Sequence, residues 1–162
     1  MKAPQFNVLN AIIEIEQGTK NSRMNRDNLS PIEESVNRFA DYLQVEDTQA
    51  MFFAVIFSLN YQERNVTIEE VADHFDLSPL SILPYHRELE DLIEEGYLEG
   101  KSRTRRHKHL ANRSLKIPNY LIKAVLENRA TGIVKETIEK DFPGFLQELG
   151  DLFEQRMDDS LL

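Results

Sequence analysis

Apolar positions recur along this chain mostly at helical spacing. Ile32, Val36, Phe39, Ala40 and Leu43 fall at i, i+4, i+7, i+8 and i+11, which predicts an amphipathic helix. Ser30-Pro31-Ile32-Glu33 before it has the S-x-x-E form of a capping box, with proline at the first helical position. Ala50 to Phe57 is apolar on every face, which predicts a helix buried in the core, with Asp47 as its cap. The aromatics there read as packing. Upstream, Phe6, Leu9, Ile12, Ile13 and Glu16 suit a short amphipathic helix that docks on the main body or on a partner chain. Gln17 to Asn28 has no apolar periodicity and reads as a polar linker.

The stretch from Thr67 to Lys116 changes period. Thr67-Ile68-Glu69-Glu70 is another capping box, and Ile68, Val71, Ala72 and Phe75 give the helix behind it one apolar face. Asp76-Leu77 makes a turn. Ser78 then suits an N-cap and Pro79 a first helical residue, with Ile82, Leu89, Leu92 and Ile93 as a buried stripe and Gly96 as a left-handed stop. Pro84 removes one backbone bond and predicts a bend near Leu80. Helix, short turn and second helix make a helix-turn-helix unit. Tyr97-Leu98-Glu99 and Leu115-Lys116-Ile117 read as two short strands, with Gly100 to His109 as a polar loop between them and Asn65-Val66 as a further short strand. The expected fold is mainly α with a small β-hairpin (α+β), a winged helix-turn-helix core with extra N- and C-terminal helices.

Pro118 reopens a helix through Tyr120, Leu121, Ala124 and Val125. Past a break at Thr131-Gly132, Ile133, Val134 and Ile138 begin another short helix. Beyond Phe142-Pro143-Gly144, Phe145, Leu146, Leu149, Leu152, Phe153 and Met157 line one face of a last helix, which needs a surface to bury it. The expected division is 1–29 (N-terminal segment and linker), 30–128 (winged-helix domain) and 129–162 (C-terminal helical extension or linker to a further domain).

Charge adds a polarity that the net value of −9 hides. Residues 101–116 hold seven cations (Lys101, Arg103, Arg105, Arg106, Lys108, Arg113, Lys116) and no acid. That leaves 12 basic against 28 acidic residues elsewhere, a net of −16. Local potential, not net charge, steers a polyanion. The bland reading of the same run is a solvated loop. The chain has no cysteine, hence no disulfide and no thiolate metal site, which favours a reducing compartment. No signal-peptide pattern opens it and no apolar run could span a bilayer, so a cytoplasmic protein with no membrane partner is expected.

Catalytic signatures are thin. His74 and His86 lie in the two motif helices, and His107 and His109 in the loop, without the carboxylates that would make zinc plausible. Glu69-Glu70 and Glu94-Glu95 read as solvated helix faces. No nucleophile elbow or Gly-rich dinucleotide turn occurs, so no enzyme, cofactor or metal is expected. Nucleic-acid binding, of DNA in the first instance, is the sharper expectation. Lys101, Arg103, Arg105, Arg106, Lys108 and Arg113 of the loop would grip phosphates. Ser81, Tyr85, His86 and Arg87 open the second motif helix, the part that meets base edges in helix-turn-helix readers. Against it, Glu88, Glu90, Asp91, Glu94 and Glu95 follow with Arg87 the only nearby cation. The alternative is a protein-interaction or oligomerisation module, including a homo-oligomer built from basic loop and acidic body.

Asp47-Thr48-Gln49-Ala50-Met51, Thr67 to Leu77, Ser78-Pro79-Leu80-Ser81-Ile82, Leu89-Glu90-Asp91-Leu92, Gly96-Tyr97-Leu98 and Ile117-Pro118 together resemble the N-terminal winged-helix region of certain bacterial AAA-type ATPases. The resemblance covers roughly residues 30 to 160 and rests on helix caps and core positions. It implies a linker helix and a nucleotide-binding domain in cis, beyond this chain. The sequence contains no G-x-x-x-x-G-K-[ST] loop, so the resemblance implies a regulatory fragment that does not itself hydrolyse ATP.

Overall fold

The computed structural model describes residues 7–62, 66–102 and 113–127. Its helices are α1 (Val8–Thr19), α2 (Arg26–Leu29), α3 (Glu33–Leu43), α4 (Asp47–Gln62), α5 (Ile68–Phe75), α6 (His86–Glu94) and α7 (Asn119–Leu126), with 3-10 turns at Ser30–Ile32 and Pro79–Tyr85. Strands β1 (Glu99–Ser102) and β2 (Arg113–Lys116) pair antiparallel. Among the described residues the chain is thus mainly helical with one small sheet, and α4, α5, α6 and the ribbon follow one another as in a winged helix-turn-helix.

Helix α4 is the hub because it has no polar face between Ala50 and Phe57, all of which are buried. Phe39, Phe57 and Tyr97 surround Phe53 at centroid distances of 6.0, 6.5 and 6.4 Å. Phe75 and Tyr85 pack on Phe52 at 5.6 and 5.5 Å. Such pairs add about 0.5–1.5 kcal/mol each beyond their buried area. Glu46, not Asp47, is the residue ahead of this helix. Its carbonyl accepts the first helical bond from Ala50 at 2.9 Å, and its N–H donates to the Gln49 side chain at 3.0 Å.

Helix α1 docks on the body of its own chain, against α4, α3 and α7. Its buried stripe is Val8, Ala11, Ile12, Ile15 and Thr19, one position round from the expected one, and Ile13 is exposed. Asn7 sets that register by capping the helix through Asn10 N–H.

The expected polar linker is a built turn. Asn21, Arg23 and Met24 have φ of 59°, 57° and 57°, and Thr19 and Ser22 are buried. Asn21 N–H donates to the His74 carbonyl and Arg23 N–H to the Phe75 carbonyl, both at 2.8 Å, so the turn satisfies the C-terminal end of α5. The capping box at Ser30 does not form either. Ser30 is already helical (φ −52°, ψ −41°) and its N–H returns to Arg26, because Asn25 has started the helix five residues earlier by accepting from Asp27 N–H at 2.8 Å.

The helix-turn-helix forms as its caps predict. Thr67 N–H donates to the Glu70 carboxylate at 2.8 Å. Asp76 takes the left-handed conformation at φ 60°, and Leu77 N–H closes back on Ala72. Ser78 caps the next helix through Ser81 N–H. Pro84 does more than bend it: lacking an N–H for a bond back to Leu80, it holds Pro79–Tyr85 as 3-10 helix, and α geometry begins only at His86. Gly96 ends α6 at φ 89°.

The first strand starts two residues late. Tyr97 and Leu98 N–H both return to the Leu92 carbonyl, and their side chains enter the core. The ribbon then pairs Glu99 with Lys116, Gly100 with Leu115, Lys101 with Ser114 and Ser102 with Arg113. The second strand likewise stops at Lys116, because Ile117 N–H donates to the Asn60 side chain at 2.8 Å while the Asn60 amide donates to the Leu115 carbonyl. Of the expected third strand, Val66 adds a single bridge to Leu115 and Asn65 lies outside the described residues. Helix α7 buries Leu121, Ala124 and Val125, and Tyr120 hydroxyl donates to the Gly96 carbonyl. The helices expected beyond residue 127 lie outside the described residues.

Candidate functional site

The exposed side of the second motif helix carries an apolar line at its start. In its 3-10 half, residues three apart eclipse, so Leu80 and Leu83 stack on one side. The α-helical half continues that line through His86, Glu90 and Glu94. Leu80 is 73% and Leu83 58% exposed, while Ile82, Leu89 and Leu92 face the core. His86 Nε2 lies 3.6 Å from Glu90 Oε1. Glu94 and Glu95 are exposed beside them and Asp91 is half-buried. The front of this helix is therefore apolar at its start and acidic towards its end.

Of the residues expected to read bases here, Ser81 is exposed, but its N–H and hydroxyl both engage Ser78 in the cap, the hydroxyls 3.0 Å apart. Tyr85 is half-buried against Phe52. Arg87 is exposed. In the ribbon, the backbones of Lys101 and Arg113 belong to β1 and β2. Lys116 is exposed and paired in register with Glu99, an opposite-charge pair. Arg103, Arg105, Arg106, Lys108, His107 and His109 lie outside the described residues, in the segment that joins the two strand ends.

A cleft of about 700 Å³ flanks the base of the same helix. Met24, Leu29, Val36, Met51 and Tyr85 supply its apolar surface, and Arg26, Asp27, Glu33 and Asp47 its polar edge. Sequence reasoning missed it, because its residues come from separate elements and partly from what read as linker.

His74 belongs to the scaffold. Its Nε2 lies 2.9 Å from Thr19 Oγ1. The Thr19 hydroxyl proton is directed to the Ile15 carbonyl at 2.6 Å, so Thr19 accepts and His74 donates. Burial pushes the His74 pKa below its ordinary value, with Glu16 opposing and Lys20 assisting. Among the described residues no three His, Asp or Glu side chains are grouped to hold a metal. No helix among them is long and apolar enough to cross a membrane. Comparison with protein-family models, curated proteins and solved structures finds no match for this chain.

Proposed function

We propose that this chain is a winged-helix nucleic-acid-binding module, acting on DNA in the first instance, whose affinity comes from its ribbon. The observation that supports the reading is the register of β1 and β2. Their paired ends, Ser102 and Arg113, bracket the run that holds Arg103, Arg105, Arg106 and Lys108. Phosphate contacts from such a run give affinity and little sequence information. The second motif helix contributes at most at its start, through Arg87, since the carboxylates behind it repel phosphate. With four or five wing cations on phosphates, log K falls against log salt with a slope of about −4. The test is duplex binding by the full chain across salt concentrations, repeated with Arg103, Arg105 and Arg106 changed to alanine. A salt-independent affinity, or one that the triple change leaves alone, removes the proposal.

The module is non-catalytic in this reading and works in the cytoplasm, in keeping with a cysteine-free chain. The resemblance to the N-terminal region of AAA-type ATPases makes regulation of an ATPase domain in cis the natural context. A second reading, protein interaction, is favoured by one observation: the stripe of exposed Leu80 and Leu83 and the acids after them.

A further inference from the structure

We propose that the Leu80–Glu94 stripe is a docking surface for a second copy of this chain, which inserts its own cationic segment between Lys101 and Arg113. The proposal rests on the protein-interaction reading and names its partner; it does not need the nucleic-acid reading to hold.

Two features of the stripe call for an occupant. Leu80 and Leu83 are large, adjacent and 73% and 58% exposed, on a backbone stiffened by Pro79 and Pro84. A backbone already held in place has little conformational freedom left to lose when its apolar side chains are covered. Beyond them Glu90, Asp91, Glu94 and Glu95 make an acidic track, along which His86 Nε2 lies 3.6 Å from Glu90 Oε1. The complementary chemistry is cations in series with an apolar group among them. Residues 101–113 of the same chain have that composition: six Lys or Arg, no acid, and Leu110-Ala111 between Lys108 and Arg113. Charge complementarity of this kind steers encounter and sets register, while the apolar anchors slow dissociation.

Stripe and cationic segment are different patches, so the contact is heterologous and a pair keeps one stripe and one segment free. Association is head-to-tail and grows with concentration. Nucleic acid, if bound, draws on the same cations and dissolves the chain of copies.

The experiment is sedimentation of the full chain at about 50 mM and about 500 mM salt, where screening lengths differ severalfold. Wild type associates at low salt and is monomeric at high salt. Leu80→Ser with Leu83→Ser weakens low-salt association at least about tenfold, the loss of more than 1.4 kcal/mol expected of central anchors. A charge swap identifies the partner patch. Variant one carries Glu90→Lys and Glu94→Lys; variant two carries Arg103→Glu, Arg105→Glu and Arg106→Glu. Each is monomeric alone, and mixing the two restores association. Duplex binding read in parallel separates the two proposals: variant one keeps it and variant two loses it if the nucleic-acid reading holds, whereas neither variant bears on docking through that readout. A wild-type chain that stays monomeric at low salt, or mixed variants that stay monomeric, overturns the inference.

Discussion

The two helices of the helix-turn-helix differ in what covers them. Helix α5 is held on its apolar face and at its C-terminal end: Phe75 packs on Phe52 of α4, and the turn after α1 takes the His74 and Phe75 carbonyls while Thr19 accepts from His74. The following helix shares the inner support, with Tyr85 on the same Phe52, but nothing among the described residues covers Leu80 and Leu83, which stay largely exposed. An element held by its own chain along its apolar face and at its C-terminal end serves as scaffold. One fixed from behind and bare in front is free to meet something else, and its bare side should contribute to binding, not to folding.

The largest expected effect strikes the support the two helices share. Phe52→Ala leaves a cavity between Phe75 and Tyr85 and costs about 3–5 kcal/mol, read as a lowered denaturant midpoint; a loss below about 1 kcal/mol would mean the two helices do not depend on α4. Next comes the cover on α5. A β-carbon at Gly18 runs into Ile32 Cγ2, so Gly18→Ala destabilises by about 1–3 kcal/mol although alanine is the better helix former. A gain in stability would show that α1 and the 3-10 turn at Ile32 can move apart.

Acid sharpens the same contrast by a smaller amount. Burial lowers the folded-state pKa of His74 below its unfolded value of about 6.5, so the unfolded chain binds more protons just below that pH. The stabilising contribution is complete above about pH 6.5 and is lost as pH falls through the folded-state value. Thermal midpoints measured between about pH 7 and pH 5.5 should decline, and His74→Gln should flatten the decline; an equal slope in both proteins contradicts the assignment. The smallest effect belongs to the bare side. Leu80→Ser and Leu83→Ser should shift stability by no more than about 0.5 kcal/mol in either direction, and a larger loss would make these leucines part of the core after all.

How far the chain could be read in advance follows the same division. Thr67, Ser78 and Gly96 act through bonds within a few residues of themselves, so their roles were legible, as was the all-apolar run in α4. Ser30-Pro31 was misleading because a cap needs the chain to enter from outside, and Asn25 had already started the helix. The turn at Asn21 to Met24 escaped because its bonds run from polar residues to backbone carbonyls about fifty positions away. The ribbon's existence was legible and its start was not: the Leu92 carbonyl captures Tyr97 and Leu98 N–H before β1 can begin. The stripe escaped because Pro84 holds this half as 3-10 helix, which stacks Leu80 and Leu83 directly where an α-helix would set them about 60° apart.

The proposed function turns on the basic run joining β1 to β2 holding the polyanion. Duplex affinity of the full chain, titrated from low to high salt, tests it most directly. If that run holds phosphate, the log–log slope is about −4 and becomes shallower by about three when Arg103, Arg105 and Arg106 become alanine. A flat titration, or an identical slope from the triple variant, contradicts it.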